Sequence, residues 1–197
     1  MMQRDGRVWA LALAVLAAAL PVRADLLWNE PLQGDLSDDR FHPNQFFVTM
    51  GSNELIGFMS GGDGASVIDR DYFTLTVPQG MALAQINLLE YFSVDVVSFM
   101  GLQPGTFFPN DPETVQAGDL LGWTHFGPPE VGSDLLAIMA SHGNTFTPPL
   151  PSGKYTFWCQ QIDDPTDYLV DFVVVPAPGT GILAGVMLAA NLRRRSR

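Results

Sequence analysis

The stretch DYFTLTVPQG, residues 71–80, decides the fold class of this chain. Apolar and polar residues alternate along it with period two, which is typical of a β-strand and not of a helix. One face of the predicted strand carries Phe73, Leu75 and Val77. The following Pro78-Gln79-Gly80 then predicts a turn, because proline presets its own φ and glycine adopts conformations closed to other residues.

The same pattern recurs along the chain, in short runs separated by Gly, Pro, Asn and Asp. The further candidate strands are 46–50, 54–59, 82–90, 94–102, 120–126, 154–161 and 168–174. One stretch, 133–140, is compatible with a turn or two of helix. The sequence therefore predicts an all-β domain over residues 25–175, a single antiparallel β-sandwich of about seven to nine strands, of the jelly-roll type.

Charge is distributed unevenly along the 197 residues. Twenty of the 21 acidic residues lie between positions 25 and 175, against only three basic residues there, which gives a formal charge of −17. Such a surface repels phosphate backbones, so we expect no nucleic-acid partner. The acidity serves either solubility or the binding of cations, including association with a cation-bridged matrix.

The N-terminus has the three parts of a secretory signal in the usual order. A positively charged start precedes an apolar run at 8–20, and Val22 and Ala24 provide small residues at positions −3 and −1 of a signal-peptidase site. We expect residues 1–24 to be a signal peptide for the Sec route. Signal peptidase would then cut after Ala24.

The C-terminal segment, residues 176–197, contains a Pro-Ala-Pro motif, an apolar run at 179–192 and an arginine cluster. As a helix the apolar run is about 21 Å long, which is shorter than the bilayer core of about 30 Å. The arginines would stay on the cytoplasmic side. These features predict a weak, transient membrane anchor. The candidate sorting motif flanks this anchor and consists of Pro176, Ala177 and Pro178 before it and Arg193, Arg194 and Arg195 after it.

This segment resembles the PEP-CTERM sorting signal, although Ala177 stands where the motif has a glutamate. The resemblance implies recognition by an exosortase in a Gram-negative bacterium that makes exopolysaccharide. It further implies a protein that is held transiently at the inner membrane and ends at the cell surface or in the extracellular matrix, as part of a biofilm.

Two stretches of the body, DRDYFTLTVPQG (69–80) and PSGKYTFWCQQIDDPTDYLVDFVV (151–174), resemble the pre-peptidase C-terminal domain. That family implies a small β-sandwich in secreted bacterial proteins, and an accessory module more than a catalyst. The segment between them, 83–150, is longer than the family would imply.

Aspartates surround the start of the 71–77 strand and predict a calcium site, the single cofactor that the sequence suggests. Calcium takes six to eight oxygen ligands, often carboxylates and loop carbonyls. Asp69 and Asp71 flank one intervening residue, so their side chains point the same way, and Asp63 precedes them. Asp38 and Asp39 are further candidates. The alternative is a solvated acidic loop, with Arg70 neutralising part of the charge.

Aromatic residues provide a second candidate site. Trp123 and Trp158 are candidates for stacking against sugar rings. Trp158 alternates away from the face that carries Phe157 and Cys159, so it is expected to be partly exposed or to lie against a covering loop. A long loop at 103–119 is expected to be functional or mobile. The lone Cys159 is expected to be buried.

Catalytic motifs are not evident. There is no G-x-S-x-G elbow, and His42, His125 and His142 do not have metal-ligand spacing. The sequence favours a non-catalytic structural or binding protein over an enzyme. A carbohydrate- or calcium-binding module is the alternative, and a secreted hydrolase is a third hypothesis.

Overall fold

The computed structural model describes residues 24–61, 68–142 and 146–179. Residues up to 23, which include most of the predicted signal peptide, therefore lie outside the described residues, as do Asp63 and the segment beyond residue 179. Within the described ranges, no helix is both long and apolar enough to traverse a bilayer.

The described chain is mostly β-structure, as predicted. Its eight strands are β1 Asp25–Asn29, β2 Asn44–Phe47, β3 Gly51–Met59, β4 Arg70–Phe92, β5 Ser98–Pro104, β6 Gly122–Phe126, β7 Leu150–Gln160 and β8 Thr166–Pro176. The helices are α1 Glu30–Gln33 and α2 Leu135–Ser141, and 3₁₀ turns occupy Ala117–Asp119 and Pro128–Glu130. Helix α2 confirms the helical turn expected near 133–140.

All eight strands belong to one sheet, in the order β1-β3-β8-β4-β7-β5-β6, with β2 paired to β4. The sheet is mixed, which corrects the prediction of a purely antiparallel one. Strands β1 and β3 pair in parallel, and so do β2 and β4. In each pair another strand intervenes along the chain, so the partners are joined by a crossover and not by the tight hairpin that antiparallel neighbours use.

Strand β4 is 23 residues long and bends back on itself. Its first half pairs with β7 and its second half with β8, with a register shift between Val77 and Ala82. Phe172 of β8 is paired with Ile86, yet its ring lies 5.9 Å from that of Phe73. Thirteen extended residues would span about 43 Å, so the strand must turn between these positions. The predicted turn at 78–80, where Gly80 has a φ of +80°, is this bend.

The bend brings the two halves of the sheet face to face around the main core. The predicted inner residues Phe73, Leu75 and Val77 are all buried there. Phe73 stacks on Phe157 of β7 with ring centroids 5.1 Å apart. Cys159 is also fully buried in this core, as predicted, and burial raises the pKa of its thiol well above the ordinary value.

The opposite face of the first half of β4 is buried as well. Tyr72 packs there in a second cluster with Phe108, Leu120 and Trp158. Phe108 and Leu120 belong to the long loop at 105–121, which covers the outer face of the sheet. The covering loop expected over Trp158 is thereby confirmed, and it explains why a strand with an alternating sequence is buried on both sides.

Gly57 offers a test of this packing, because it lies opposite Tyr168 on the neighbouring strand. A Cβ atom at this position would overlap the Tyr168 ring, which is fully buried. We expect Gly57→Ala to lower the free energy of unfolding by about 1–3 kcal/mol, the usual range for overpacking. Gly118→Ala is the matched control, since a Cβ there meets no atom within 4 Å. Urea denaturation measures both, and equal stabilities would contradict the packing described.

Candidate metal centre

Five carboxylates converge at one end of the sheet, from three separate segments of the chain. Glu30 and Asp35 come from α1 and the residues after it, Asp38 from the following turn, and Asp69 and Asp71 from the start of β4. They form two groups that share Asp35: Glu30, Asp35 and Asp71, and Asp35, Asp38 and Asp69. Within each group, one potential ligand atom per residue lies within 4.8 Å of the others.

The predicted calcium ligands are partly brought together here. Asp69 and Asp71 belong to the cluster, and Asp38 joins them as expected. Asp39 does not join them, because its Oδ2 lies 2.6 Å from Nδ1 of His42. Glu30 and Asp35 were missed by the sequence analysis. The one local signal for them is the density of acidic residues between positions 30 and 39.

Strand geometry separates these acids from the nearest basic side chain. Alternation along β4 places Arg70 on the face opposite Asp69 and Asp71. Its guanidinium donates to Oε1 of Gln160 at 2.9 Å and pairs with Glu113. The alternative that Arg70 neutralises the aspartates is therefore wrong. Among the described residues, no salt bridge joins a basic side chain to the five carboxylates.

Asp71 is the most deeply buried member of the cluster, with no exposed surface. Its Oδ2 accepts a hydrogen bond of 2.6 Å from the Tyr168 hydroxyl, while Oδ1 has no partner among the described residues. Desolvation raises the pKa of Asp71 well above the ordinary value, and the neighbouring charge of Glu30 adds to this. A buried carboxylate with a free oxygen is costly unless a cation or a donor compensates it.

Glu30 is held by two backbone N–H groups from different segments. Leu36 donates to Oε1 at 2.9 Å, and Phe58 of β3 donates to Oε2. Burial raises the pKa of Glu30 to about 8, and a hydrogen bond with the Asp35 side chain also raises it. Glu30 thus attaches α1 to β3 and is held in place before any ion binds.

Asp69 and Asp38 are anchored in the same manner. The backbone N–H and hydroxyl of Ser60 donate to Oδ2 of Asp69 at 3.1 and 3.3 Å. Oδ1 of Asp69 is buried and has no partner in the described part of the chain. Desolvation, with the charges of Asp35 and Asp38, raises the pKa of Asp69 to about 6. Asp38 accepts from the backbone N–H of Arg70 at 2.9 Å.

This arrangement is chemically suited to a hard divalent cation. Calcium–oxygen distances are about 2.3–2.6 Å, so ligands on opposite sides of one ion lie at most about 5 Å apart. The potential ligand atoms within each group lie no further apart than 4.8 Å, so one ion could contact all three. The ligands are all carboxylates, which favour calcium or magnesium over zinc. Glu30, Asp35 and Asp69 also line a cavity of about 340 Å³, which gives an ion a route from solvent.

The two predicted stacking residues lie elsewhere, on the outer face of the sheet. Trp123 of β6 is half-buried, whereas Trp158 of β7 is only 3% exposed. Both line one pocket of about 330 Å³, with Phe99 between them. Trp158 therefore forms part of the pocket wall and is not an open stacking platform, while Trp123 presents the more accessible ring.

The residues predicted for processing are described only at the edges of the domain. Ala24 directly precedes β1, and Val22 lies outside the described residues. Pro176 is the last residue of β8 and pairs with Met81, and the N–H of Ala177 donates to the carbonyl of Gly80 at 2.8 Å. The start of the Pro-Ala-Pro motif is thus attached to the sheet. The arginine cluster lies outside the described residues.

Comparison with protein-family models, with curated proteins and with solved structures finds no match for this chain.

The raised pKa values predict how stability changes with pH when no divalent cation is present. Glu30 and Asp69 titrate at about 8 and about 6 in the folded protein, above their ordinary values of 4.5 and 3.8. Between about pH 4 and 8 the folded protein therefore holds more protons than the unfolded chain. We expect its free energy of unfolding in EDTA to fall as pH rises through this window.

Urea denaturation at a series of pH values measures this slope. Asp69→Asn removes one of the titrating groups and should flatten the slope between about pH 4 and 6. A free energy of unfolding that rises from pH 5 to 8 in EDTA would be inconsistent with a cluster of buried carboxylates.

Proposed function

We propose that this chain is an exported, non-catalytic, calcium-binding protein of the bacterial cell surface or extracellular matrix. The sequence of both termini supports export through Sec and sorting by an exosortase in a Gram-negative bacterium. The cluster of five carboxylates supports calcium binding. The single observation that carries this second part is the unpartnered Oδ1 of the fully buried Asp71, beside Glu30 and Asp35.

Calcium would link the segment that follows β1 to the start of β4, and so hold the beginning of the mature chain against the sheet. The ligands Glu30, Asp35 and Asp38 belong to the segment that follows β1, whereas Asp69 directly precedes β4 and Asp71 belongs to it. An ion shared by these segments stabilises the folded form, because the unfolded chain does not hold the ligands together. At a calcium concentration 100 times the Kd, this linkage contributes about 2.7 kcal/mol.

A structural role fits the burial of the ligands better than catalysis does. Asp71 has no exposed surface, and Glu30 is nearly as well buried. A general acid or base must come within hydrogen-bond reach of its substrate, whereas a structural ion needs only to be enclosed. We accordingly assign these carboxylates to ion binding.

The finer architecture that we propose is a β-sandwich similar to the pre-peptidase C-terminal domain. The contacts between the two halves of the folded sheet support this architecture. The ring centroids of Phe126 in β6 and Tyr168 in β8, for example, are 6.0 Å apart. A domain with a charge of −17 would also associate with exopolysaccharide through bridging divalent cations in the matrix of a biofilm.

Calcium titration tests the metal centre directly. We expect calcium to raise the Tm of the EDTA-treated protein and to release or absorb heat in calorimetry. Asp69→Asn and Asp71→Asn each remove a ligand charge and should weaken calcium binding at least tenfold. Asp167→Asn is the matched control, since that residue is exposed on β8 and belongs to neither carboxylate group.

The metal assignment would be refuted by the absence of both heat and Tm change on addition of calcium. Equal calcium affinity in Asp71→Asn and Asp167→Asn would refute the ligand assignment. Because asparagine retains the shape of aspartate and can still accept from Tyr168, loss of folding is not expected.

Mass spectrometry of the native protein tests export and sorting. We expect a mature N-terminus at Asp25 and loss of the terminal Arg-Arg-Arg-Ser-Arg, in protein recovered from the culture medium or the cell surface. An abundant cell-free product that retains the arginine cluster would count against removal of the sorting tail.

A further inference from the structure

The outer face of strands β5, β6 and β7 carries a pocket that the metal centre does not use. The loop at 105–121 forms one wall, through Val115, Gln116 and Leu120. The volume, about 330 Å³, lies at the lower end of the range for small-molecule sites, about 300–1,000 Å³. None of the five clustered carboxylates lines it.

Aromatic rings make up the floor of this pocket. Trp158 and Trp123 lie opposite Gly101 on its two sides in the sheet. A Cβ atom at Gly101 would come within 3.1–3.3 Å of Phe99, Phe108 and Trp158. Because Gly101 has no side chain, these three rings can pack directly against the backbone of β5. Phe99 contacts Trp158 with centroids 4.6 Å apart, and it stacks nearly parallel to Trp123 at 6.5 Å.

A buried hydrogen-bond donor remains unsatisfied in this wall. Nε1 of Trp158 has no acceptor among the described residues, although the side chain is only 3% exposed. Buried tryptophan usually finds a partner for this N–H group, and a missing partner costs about 1–3 kcal/mol.

The polar side chains around the rings are those of Ser98, Gln116, His125, Gln160 and Gln161. Among the described residues, no Asp, Glu, Lys or Arg lines the pocket. This is notable in a domain with a charge of −17, because a charged ligand would find no opposite charge here. A purely apolar ligand would remove the polar side chains of this lining from water without offering them a hydrogen bond. The lining therefore suits a neutral molecule with both apolar faces and hydroxyl groups.

We propose that this pocket binds a neutral saccharide ring, stacked on Trp123 and hydrogen-bonded by Gln160. A sugar ring has C–H faces that pack on an aromatic ring and hydroxyls that both donate and accept. The Gln161 amide is already bonded to Asp95 and Val97, and Oε1 of Gln160 accepts from Arg70. Nε2 of Gln160 is therefore left to donate to a sugar hydroxyl. The inference is independent of the calcium site.

The pocket wall is held in place without a ligand. The backbone N–H of Phe108 donates to the carbonyl of Arg40 at 2.8 Å, and Nη1 of Arg40 donates to the carbonyl of Pro109 at 2.6 Å. Nε2 of Gln103 donates to Asn110 and to the carbonyl of Asp119, each at 2.7 Å. Binding to a preformed wall avoids most of the cost of ordering a loop.

Titration of the full chain with neutral oligosaccharides tests the proposal. Cellotetraose, maltotetraose and tetra-N-acetylchitotetraose serve as probes, with tryptophan fluorescence and saturation-transfer NMR as readouts. We expect at least one of them to bind. Trp123→Ala, which removes the stacking ring, should weaken binding at least tenfold. Ala117→Trp, at an exposed position of the wall, should block the pocket and abolish binding.

Phe47→Ala is the matched control, since this aromatic residue is 75% exposed and lies outside the pocket. Binding should persist in EDTA and in Asp71→Asn, so failure of the calcium site would not affect the result. The proposal is overturned if no neutral probe binds, if 1-naphthol binds while every saccharide fails, or if Ala117→Trp binds like the unaltered chain. If Trp123→Ala does not fold, Ala117→Trp decides the outcome.

Discussion

The bend of β4 at residues 78–80 is the constraint on which the rest of the structure depends. One strand of 23 residues supplies the centre of both halves of the sheet, and the bend turns these halves towards each other. Phe73 and Phe172 meet across the resulting core at 5.9 Å. Asp69 directly precedes the same strand and Asp71 is its second residue, so the geometry that closes the core also fixes the position of two carboxylates.

The packing of the core and the position of the carboxylate cluster are coupled through Tyr168. Its ring fills the space that the absent side chain of Gly57 leaves, and its hydroxyl donates to Asp71 at 2.6 Å. The carboxylate is thus oriented from inside the core, while Glu30 is oriented by the backbone of Leu36 and Phe58. Because the carboxylates of α1 and of β4 are both held by their own hydrogen bonds, the proposed calcium ion would need little reorganisation of the site.

The first half of the sheet uses its two faces differently. The inner face supplies the main core, and the outer face supports the aromatic pocket under the loop at 105–121. A long loop usually lies on the surface because its backbone needs water. Here Arg40 and Gln103 donate hydrogen bonds to backbone carbonyls of the loop, and the aromatic cluster packs against its apolar side chains. The loop therefore forms a stable wall over Trp158. The proposed ion and saccharide sites are therefore carried by different parts of the molecule.

The sequence by itself determined the β-rich class, the approximate positions of most strands, the buried face of Phe73, Leu75 and Val77, and the burial of Cys159. These features are local, because alternation and turn residues act within a few positions. It also indicated Asp69, Asp71 and Asp38 as neighbours. The tertiary structure alone decided that β1 pairs in parallel with β3 and β2 with β4. It also decided that both faces of the first half of β4 are buried, and that Glu30 and Asp35 complete the carboxylate cluster. These outcomes depend on contacts between segments far apart in the chain, and no local spacing encodes such contacts.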